Sequence, residues 1–256
     1  MDKIKELYEV YQKSIGISWE NLLKDNGILT KSPYYILNKL GLRAKNHLDC
    51  QRKQELREDF FEKIDTPEKS YWLGFMFADG NVCQRGKSFR VKIGLNFNDK
   101  AHLEKFSQII YGQNKVKTYK NGKYEDISEL VFSSKKMGED LIFHGCVPRK
   151  SPLIRMPKID SHLMRFFILG FFDGDGHISI RKNGGKTVGF TSNEGFLKEL
   201  MKLFEENLSI KSKIFLRKGI YGSLVFHRKE YVETIKNYFY SENDLFLERK
   251  KNLFFA

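Results

Sequence analysis

Two nearly identical stretches, ILGFFDGDGH at 168–177 and WLGFMFADGN at 72–81, decide how this chain folds. Each is a mostly apolar run that ends in Asp-Gly, and the closing aspartates, Asp79 and Asp175, stand 96 positions apart. Gly74 and Ala78 in the first run, and Gly170 and Gly174 in the second, are four residues apart. That spacing puts them on one face of a helix. Small residues on a shared face let two helix backbones approach closely, so the two runs are expected to pack on each other and end side by side. Asp79 then lies next to Asp175. The arrangement is unfavourable on two counts. A carboxylate at a helix C-terminus meets the negative end of the dipole, at a cost of about 0.3–1 kcal/mol, and two close carboxylates repel, which normally keeps one protonated. A shared divalent cation relieves both, and oxygen-only ligands point to magnesium or another hard metal.

The rest of the chain follows the same duplication. From Thr66 the pattern is a helix ending in Asp-Gly, then SFRVKIGLNF (88–97), a helix around DKAHLEKFSQII, a strand pair with an Asn-Gly turn, and a helix from Ser134. The second copy repeats this order. ELVFSSKKMGEDLI at 129–142 aligns without a gap on SLVFHRKEYVETIK at 223–236, offset by 94. Two such similar offsets indicate one helix-strand-strand-helix-strand-strand-helix unit that has been duplicated. The expected fold is α+β: a duplicated αββαββα core with two antiparallel sheets, preceded by a small all-α module. The expected divisions are a helical module at 1–50, a linker at 51–65, repeats at 66–146 and 161–256, and a proline-containing linker at 147–160.

In SFRVKIGLNF, Phe89, Val91, Ile93, Leu95 and Phe97 alternate with Ser88, Arg90, Lys92, Gly94 and Asn96, the period of a strand with one buried face. The polar set is cationic and hydrogen-bonding and contains no carboxylate. HISIRK (177–182), KVKTY (115–119) and KSKIFLRK (211–218) are read with the same bias. The expected nucleic-acid contacts are Arg90, Lys92, Asn96, Lys115 and Lys117 in the first repeat. In the second they are Ser179, Arg181, Lys186, Lys213 and Arg217. Which of these read bases depends on a strand register that spacing alone does not supply.

Composition agrees with a polyanionic partner. Lys and Arg number 45 against 32 Asp and Glu, a formal charge of +13, which favours nucleic acid over an anionic membrane surface. No apolar run is long enough to span a bilayer, and MDKIKELYEV lacks a signal-peptide core. The three cysteines (Cys50, Cys83, Cys146) have no Cys-x-x-Cys spacing, which indicates neither a disulfide framework nor a zinc site. A soluble, cytoplasmic or otherwise intracellular protein is expected. Its first fifty residues read as three short helices: DKIKELYEVYQKS, SWENLLKDNG with Ser18 as cap, and SPYYILNKLG with Ser32 as cap and Pro33 in the first turn. They suggest a helix-turn-helix module, with a plain helical cap as the alternative.

WLGFMFADG and ILGFFDGDG resemble the two motifs of a monomeric LAGLIDADG homing endonuclease, and the likeness extends from about Phe60 to the C-terminus. The resemblance implies that Asp79 and Asp175 are metal-binding catalytic acids using Mg2+ (or Mn2+). It further implies hydrolysis of both strands of a long asymmetric DNA target, leaving short 3′ overhangs. The sixth motif position, usually Asp, is kept by Asp173 and lost at Phe77, and no catalytic part is assigned to it. Each site in the family also wants a cation near the scissile phosphate. The matched pair Lys135 and Lys229, one residue into each closing helix, is the expected source, with Lys92 and Lys186 as second candidates on outward strand positions. His177, whose counterpart is Asn81, is not expected to be a shared catalytic residue. FFEKIDTPEKSYWLGF and VPRKSPLIRMP resemble the intron- and phage-borne branch, whose members often carry an extra DNA-binding module. Splicing residues of inteins are absent from both ends, so the chain reads as free-standing. An intron RNA maturase, with intron RNA as partner, and a non-cleaving DNA-binding regulator remain open alternatives.

Overall fold

A computed structural model describes residues 2–14, 17–44, 56–120, 122, 125–217, 221–241 and 245–256. The chain divides into two compact units, Met1–Arg57 and Glu58–Ala256.

The first unit holds helices α1 (Asp2–Lys13), α2 (Trp19–Asp25) and α3 (Pro33–Lys39). Ser18 caps α2 by accepting from the Asn21 amide, while Ser32 precedes α3 without a side-chain cap bond and leaves the start to Pro33. Gly27 and Gly41 take the positive φ that ends each helix. Leu7, Tyr11, Trp19, Leu22, Leu23 and Leu37 form a core. The Trp19 indole donates to the Pro33 carbonyl at 2.9 Å, which satisfies its one polar atom.

The second unit is the duplication. Its first half runs α4 (Pro67–Ala78), β1 (Gly80–Arg85), β2 (Ser88–Asn96), α5 (Lys100–Tyr111), β3 (Lys117–Tyr119), β4 (Ile127–Ser133) and α6 (Lys135–Phe143). The second half runs α7 (Met164–Asp175), β5 (Gly176–Ile180), β6 (Lys186–Asn193), α8 (Glu194–Leu208), β7 (Ile214–Leu216), β8 (Tyr221–Phe226) and α9 (Lys229–Tyr240). Each half forms one antiparallel four-stranded sheet, ordered β1-β2-β4-β3 and β5-β6-β8-β7. A further helix, α10 (Glu248–Phe255), follows the second half. Three hydroxyl or amide side chains start helices, the first two where the sequence suggests: Thr66 accepts from Lys69 N–H, Ser134 from Met137 N–H and Asn193 from Phe196 N–H. Residues 121 and 123–124 of the expected Asn-Gly turn lie outside the described residues.

Helices α4 and α7 pack on each other at the centre. A Cβ on Gly74 would overlap the Phe167 carbonyl and crowd the Phe171 amide, and one on Gly170 would overlap the Tyr71 carbonyl and crowd the Phe75 amide. The relation is reciprocal, as a two-fold arrangement of duplicated helices requires. One turn further on, Gly174 abuts the Ala78 methyl. Around this contact α4 and α7 are apolar on nearly all sides, with Tyr71, Trp72, Leu73, Phe75, Phe77, Phe167, Phe171 and Phe172 almost fully buried.

Three expectations need correction. Phe60 and Phe61, assigned to a linker at 51–65, are fully buried and pack their rings against Phe106; residues 51–55 lie outside the described residues. The segment 147–160 is not a plain spacer either, because it buries Ile154 and Lys150. The strands expected over 115–119 and 211–218 shrink to the three-residue β3 and β7.

The Gly74–Gly170 contact generates the first prediction. In Gly170→Ala the added methyl meets backbone, which cannot rotate away, so unfolding free energy should fall by about 3 kcal/mol or more. Gly94→Ala, whose Cβ meets only ordinary van der Waals neighbours, should change it by no more than ~0.5 kcal/mol. Urea denaturation of both variants checks this, and equal, small effects would show that the helices are not in backbone contact.

Candidate active site and nucleic-acid interface

The end of the helix pair carries the acids. Asp79 is the C-cap of α4, Asp175 is the last residue of α7, and the Asp79 carboxylate lies against the backbone of Gly174, the residue before Asp175. Burial first, and repulsion from Asp175 second, push Asp79 up to about 6, against the pull of Lys250 and Lys150. Asp175 opens more to solvent; its carboxyl is also raised by loss of water, opposed by the same two lysines.

Those lysines are the residues that sequence reasoning missed. Lys150 and Lys250 are both buried. Lys150 Nζ donates to the Ala78 carbonyl at 2.8 Å. Lys250 Nζ donates to the carbonyls of Phe172 (2.6 Å), Gly174 (3.0 Å) and Gly176 (2.6 Å). Each ammonium therefore sits on carbonyls at the C-terminus of one motif helix, where a cation is favoured. Burial drives Lys250 down to about 8, against the attraction of Asp173, Asp79 and Asp175. A signal existed: the dipeptide Arg-Lys at 149–150 recurs at 249–250. The longer connection after α9 changes the offset from 94 to 100, which hides it.

The lysines expected from spacing are elsewhere. Ser133 pairs with Arg90, and Arg90 with Cys83, three residues along β1 from Gly80 and so about 10 Å from the acid end. Lys135 lies two residues past Ser133, exposed and paired with Glu139 in its own helix. Lys229 lines a cleft at the β5–β6 turn with Arg181, Asn183, Lys186 and His227. Neither reaches the aspartates. Lys186 is not outward: it shares a row with Ile180 and donates to the carbonyls of Phe254 and Ala256 at 2.7 and 2.8 Å. Nor is it the counterpart of Lys92. Gly80 pairs with Ile93 and Gly176 with Phe190, so the counterpart of Lys92 is Gly189, over which the His177 ring lies.

Asp173 is buried away from solvent. Its Oδ2 accepts from the Tyr71 hydroxyl and the Leu247 amide, both at 2.7 Å, and Tyr71 also bonds His102 Nε2 at 2.8 Å. Burial raises Asp173 to about 7 and holds His102 neutral, at about 3. In the other half of the pseudo-dyad the same two positions are Phe77 and Phe167, which meet edge to face at 5.0 Å. One apolar pair and one hydrogen-bonded pair thus fill equivalent places.

The outward faces of the two sheets differ. Register places Arg85, Arg90, Lys92, Gly94, Asn96, Lys117 and Tyr119 outward on the first sheet. Lys115 precedes β3 on the same alternation. A carboxylate does reach this face: Glu129 of β4 pairs with Lys92, and Glu125 binds Asn96. On the second sheet the outward positions are His177, Ser179, Thr187, Gly189, Thr191, Phe215, Tyr221, Ser223 and Val225. The cationic bias expected there is absent from the strands. The cations lie at the strand ends instead: Lys213 and Arg217 flank β7 on the outward alternation of Phe215, and Arg181, one residue past β5 on the alternation of Ser179, donates to the His227 carbonyl at 3.1 Å.

Residues 162–238 match the family model described as a LAGLIDADG-like domain. The structure of I-WcaI bound to its DNA recognition sequence is similar over 84% of this chain and 96% of that one, with a TM-score of 0.53 and 12% identity. The I-SmaMI LAGLIDADG homing endonuclease bound to cleaved DNA is similar over 75% and 87%, with a TM-score of 0.50 and 13% identity. The duplicated unit has the LAGLIDADG fold. No curated protein matches the chain.

Within that fold, the residues at the motif ends fit a hard divalent cation: two adjacent carboxylates, both raised by burial and Asp79 also by repulsion from Asp175, with oxygen donors alone. Among the described residues no group of three or more His, Cys, Asp or Glu side chains could hold a metal, so the aspartates would leave most positions on the ion to water and substrate oxygens, as magnesium prefers. Asp79 also has a stability consequence. The unfolded carboxyl ionises near 3.8 and the folded one near 6. Between those values the unfolded chain loses a proton that the folded chain keeps, so stability falls as pH rises through the interval and stays lower above it. In chelator, Asp79→Asn should therefore raise Tm at pH 7 by roughly a few °C, with the gain shrinking toward pH 4. Thermal melts across pH check it, and a variant less stable at pH 7 would contradict the shift.

Proposed function

We propose that the protein is a site-specific, magnesium-dependent endonuclease that cuts both strands of a long DNA target in intron homing and leaves short 3′ overhangs. The observation that carries this reading is the meeting of Asp79 and Asp175 at the end of one helix pair, flanked by Lys150 and Lys250. One chain supplies both acids, which supports action as a monomer on an asymmetric site. A divalent metal held by Asp79 and Asp175 would supply Lewis-acid charge and a more acidic bound water. The chain's own groups do the rest. The carboxylates hold the cation at the junction of the two halves, the lysines offset negative charge on the reacting phosphates, and the sheets position the duplex. Retention of two acids that oppose each other at a helix end argues against a non-cleaving regulator.

The two lysines differ in what they can give a phosphate. Lys250 spends three donors on three carbonyls, all that an ammonium has, whereas among the described residues Lys150 makes one such bond, which leaves it donors for a phosphate. Asp79→Asn or Asp175→Asn should abolish double-strand cleavage and leave specific binding within about tenfold. Lys150→Met should slow single-turnover cleavage by about a hundredfold or more with little change in binding. Lys250→Met should lower Tm as well as rate. Wild-type linearisation by either Asn variant would sink the site assignment.

The N-terminal helices support a second DNA contact, because α2 and α3 form a compact pair that leaves Tyr34 and Tyr35 exposed. Since the chain divides at Arg57, removal of residues 1–57 should leave a folded protein whose nuclease footprint is shorter at one end only. An unchanged footprint and affinity would favour a plain helical cap.

A further inference from the structure

The segments that carry Lys150 and Lys250 are held by a matched pair of contacts that cross between the halves. Asp99 and Asn193 occupy the same station, the N-cap of the helix that follows the second strand of each sheet. Asp99, buried in the first half, accepts from Arg249 Nη2 at 3.0 Å and from its Nε at 3.3 Å to each carboxylate oxygen. Arg249 immediately precedes Lys250. Asn193, buried in the second half, donates to the carbonyls of Ser151 and Ile154 at 3.0 and 3.1 Å. Its Oδ1 accepts from Arg155 at 3.1 Å. The Lys150 carbonyl closes the same turn, accepting from the Leu153 and Ile154 amides at 2.7 and 2.9 Å. The Met156 amide then donates to Glu199 of α8 at 2.7 Å, and the Arg155 guanidinium lies over Gly195 at the start of that helix.

The ties are reciprocal. Lys150 sits on the end of α4, in the first half, while its segment is fixed by the second half. Lys250 sits on the end of α7, in the second half, while its neighbour Arg249 is fixed by the first. Helix capping does not account for either contact. The Asp99 carboxylate makes no cap bond to α5, and the cap bond from Phe196 N–H to Asn193 needs only an oxygen that serine would also supply. An arginine fork on a carboxylate fixes direction as well as distance, and a carboxamide donating to two carbonyls fixes the turn they belong to. We infer that Asp99, Arg249 and Asn193 are positioning residues: from the opposite half, each latch seats the lysine of one motif helix, so the lysines take their working places only when the halves are docked. This rests on the endonuclease reading above and names what holds the cations of that site. The two lysines are related by the same pseudo-dyad as the two strands of a bound duplex. Each latch therefore governs mainly one strand.

The test uses the full chain and a supercoiled plasmid carrying a duplex that the wild type selects from a randomised library in calcium. Cutting is started with magnesium, and the single-turnover rate is followed for each strand. Arg249→Met and Asn193→Ser are the two variants. The Arg249 side chain is 56% exposed and serine keeps the helix cap, so both should fold and bind the duplex as the wild type does. Each should slow one strand by roughly ten- to a hundredfold. Nicked circles should accumulate in both, with the nick on opposite strands. Asp99→Asn should reproduce the Arg249→Met defect, and the double variant should be no slower than either single one, as for two residues that share one interaction. Arg249→Lys, which keeps the charge without the fork, should recover part of the rate. Equal slowing of both strands, the same strand slowed in both variants, or additive effects of Asp99→Asn and Arg249→Met would overturn the inference while leaving the endonuclease reading intact. Failure of the wild type to cut the plasmid would defeat that reading and the inference together.

Discussion

Everything at the centre of this molecule depends on two helix backbones touching. Gly74 lies against the Phe167 carbonyl and Gly170 against the Tyr71 carbonyl, so the axes come closer than any side chain would allow. The large apolar residues are displaced to the flanks, where Trp72 stacks on Phe106 at 4.4 Å and Phe171 meets Phe196 at 4.4 Å. Because contact is made through backbone, the relative register of α4 and α7 is set to within one residue, and so are the positions of Asp79 and Asp175. Precision at the site is a by-product of having no room to slide.

That precision creates an electrostatic problem, which the fold answers twice over. Two carboxylates at two helix C-termini face each other's charge and the negative ends of both dipoles. Lys150, on the connection after α6, and Lys250, in the first turn of α10, each reach back to the carbonyls of a motif helix. A third tie lies nearby: Arg249 donates to the buried Asp99 at 3.0 Å, joining α10 to the first half. The second half is thus latched to the first by α10, and the segment that latches it also supplies the cation. Tyr71 bonding to Asp173, against Phe77 meeting Phe167, shows how far the halves have diverged while conserving volume at the interface.

Much of this was legible in the residues. The repeated apolar runs, their small residues at a spacing of four and the strand alternation of 88–97 each reflect short-range periodicity, which survives in sequence because each position answers to its immediate neighbours. What was not legible depended on long-range geometry. Lys135 and Lys229 matched across the repeats, yet pairing alone could not reveal that β4 carries Lys135 away from the acids. Lys150 looked like part of a proline-containing connection, since burial of a lysine onto a helix end leaves no periodic trace. The charge of the second repeat was read as facing DNA because Lys186, Arg181 and Lys213 lie in strand-like strings; register shows that Lys186 turns inward, while Arg181 and Lys213 keep the outward alternation just past the strand ends. Glu129 entered the first face from a neighbouring strand for the same reason.

The central claim is that close packing of α4 and α7 forces Asp79 and Asp175 into one another's field where burial strips away part of their water. Carboxyl 13C shifts of Asp79 followed through a pH titration, in chelator, measure this directly. The account predicts a midpoint near 6 in the wild type and a lower one in Asp175→Asn, still above the ordinary value because burial remains. A wild-type midpoint near 3.8, unmoved by Asp175→Asn, would mean that the two acids stand apart in water and that the helix pair does not build the site.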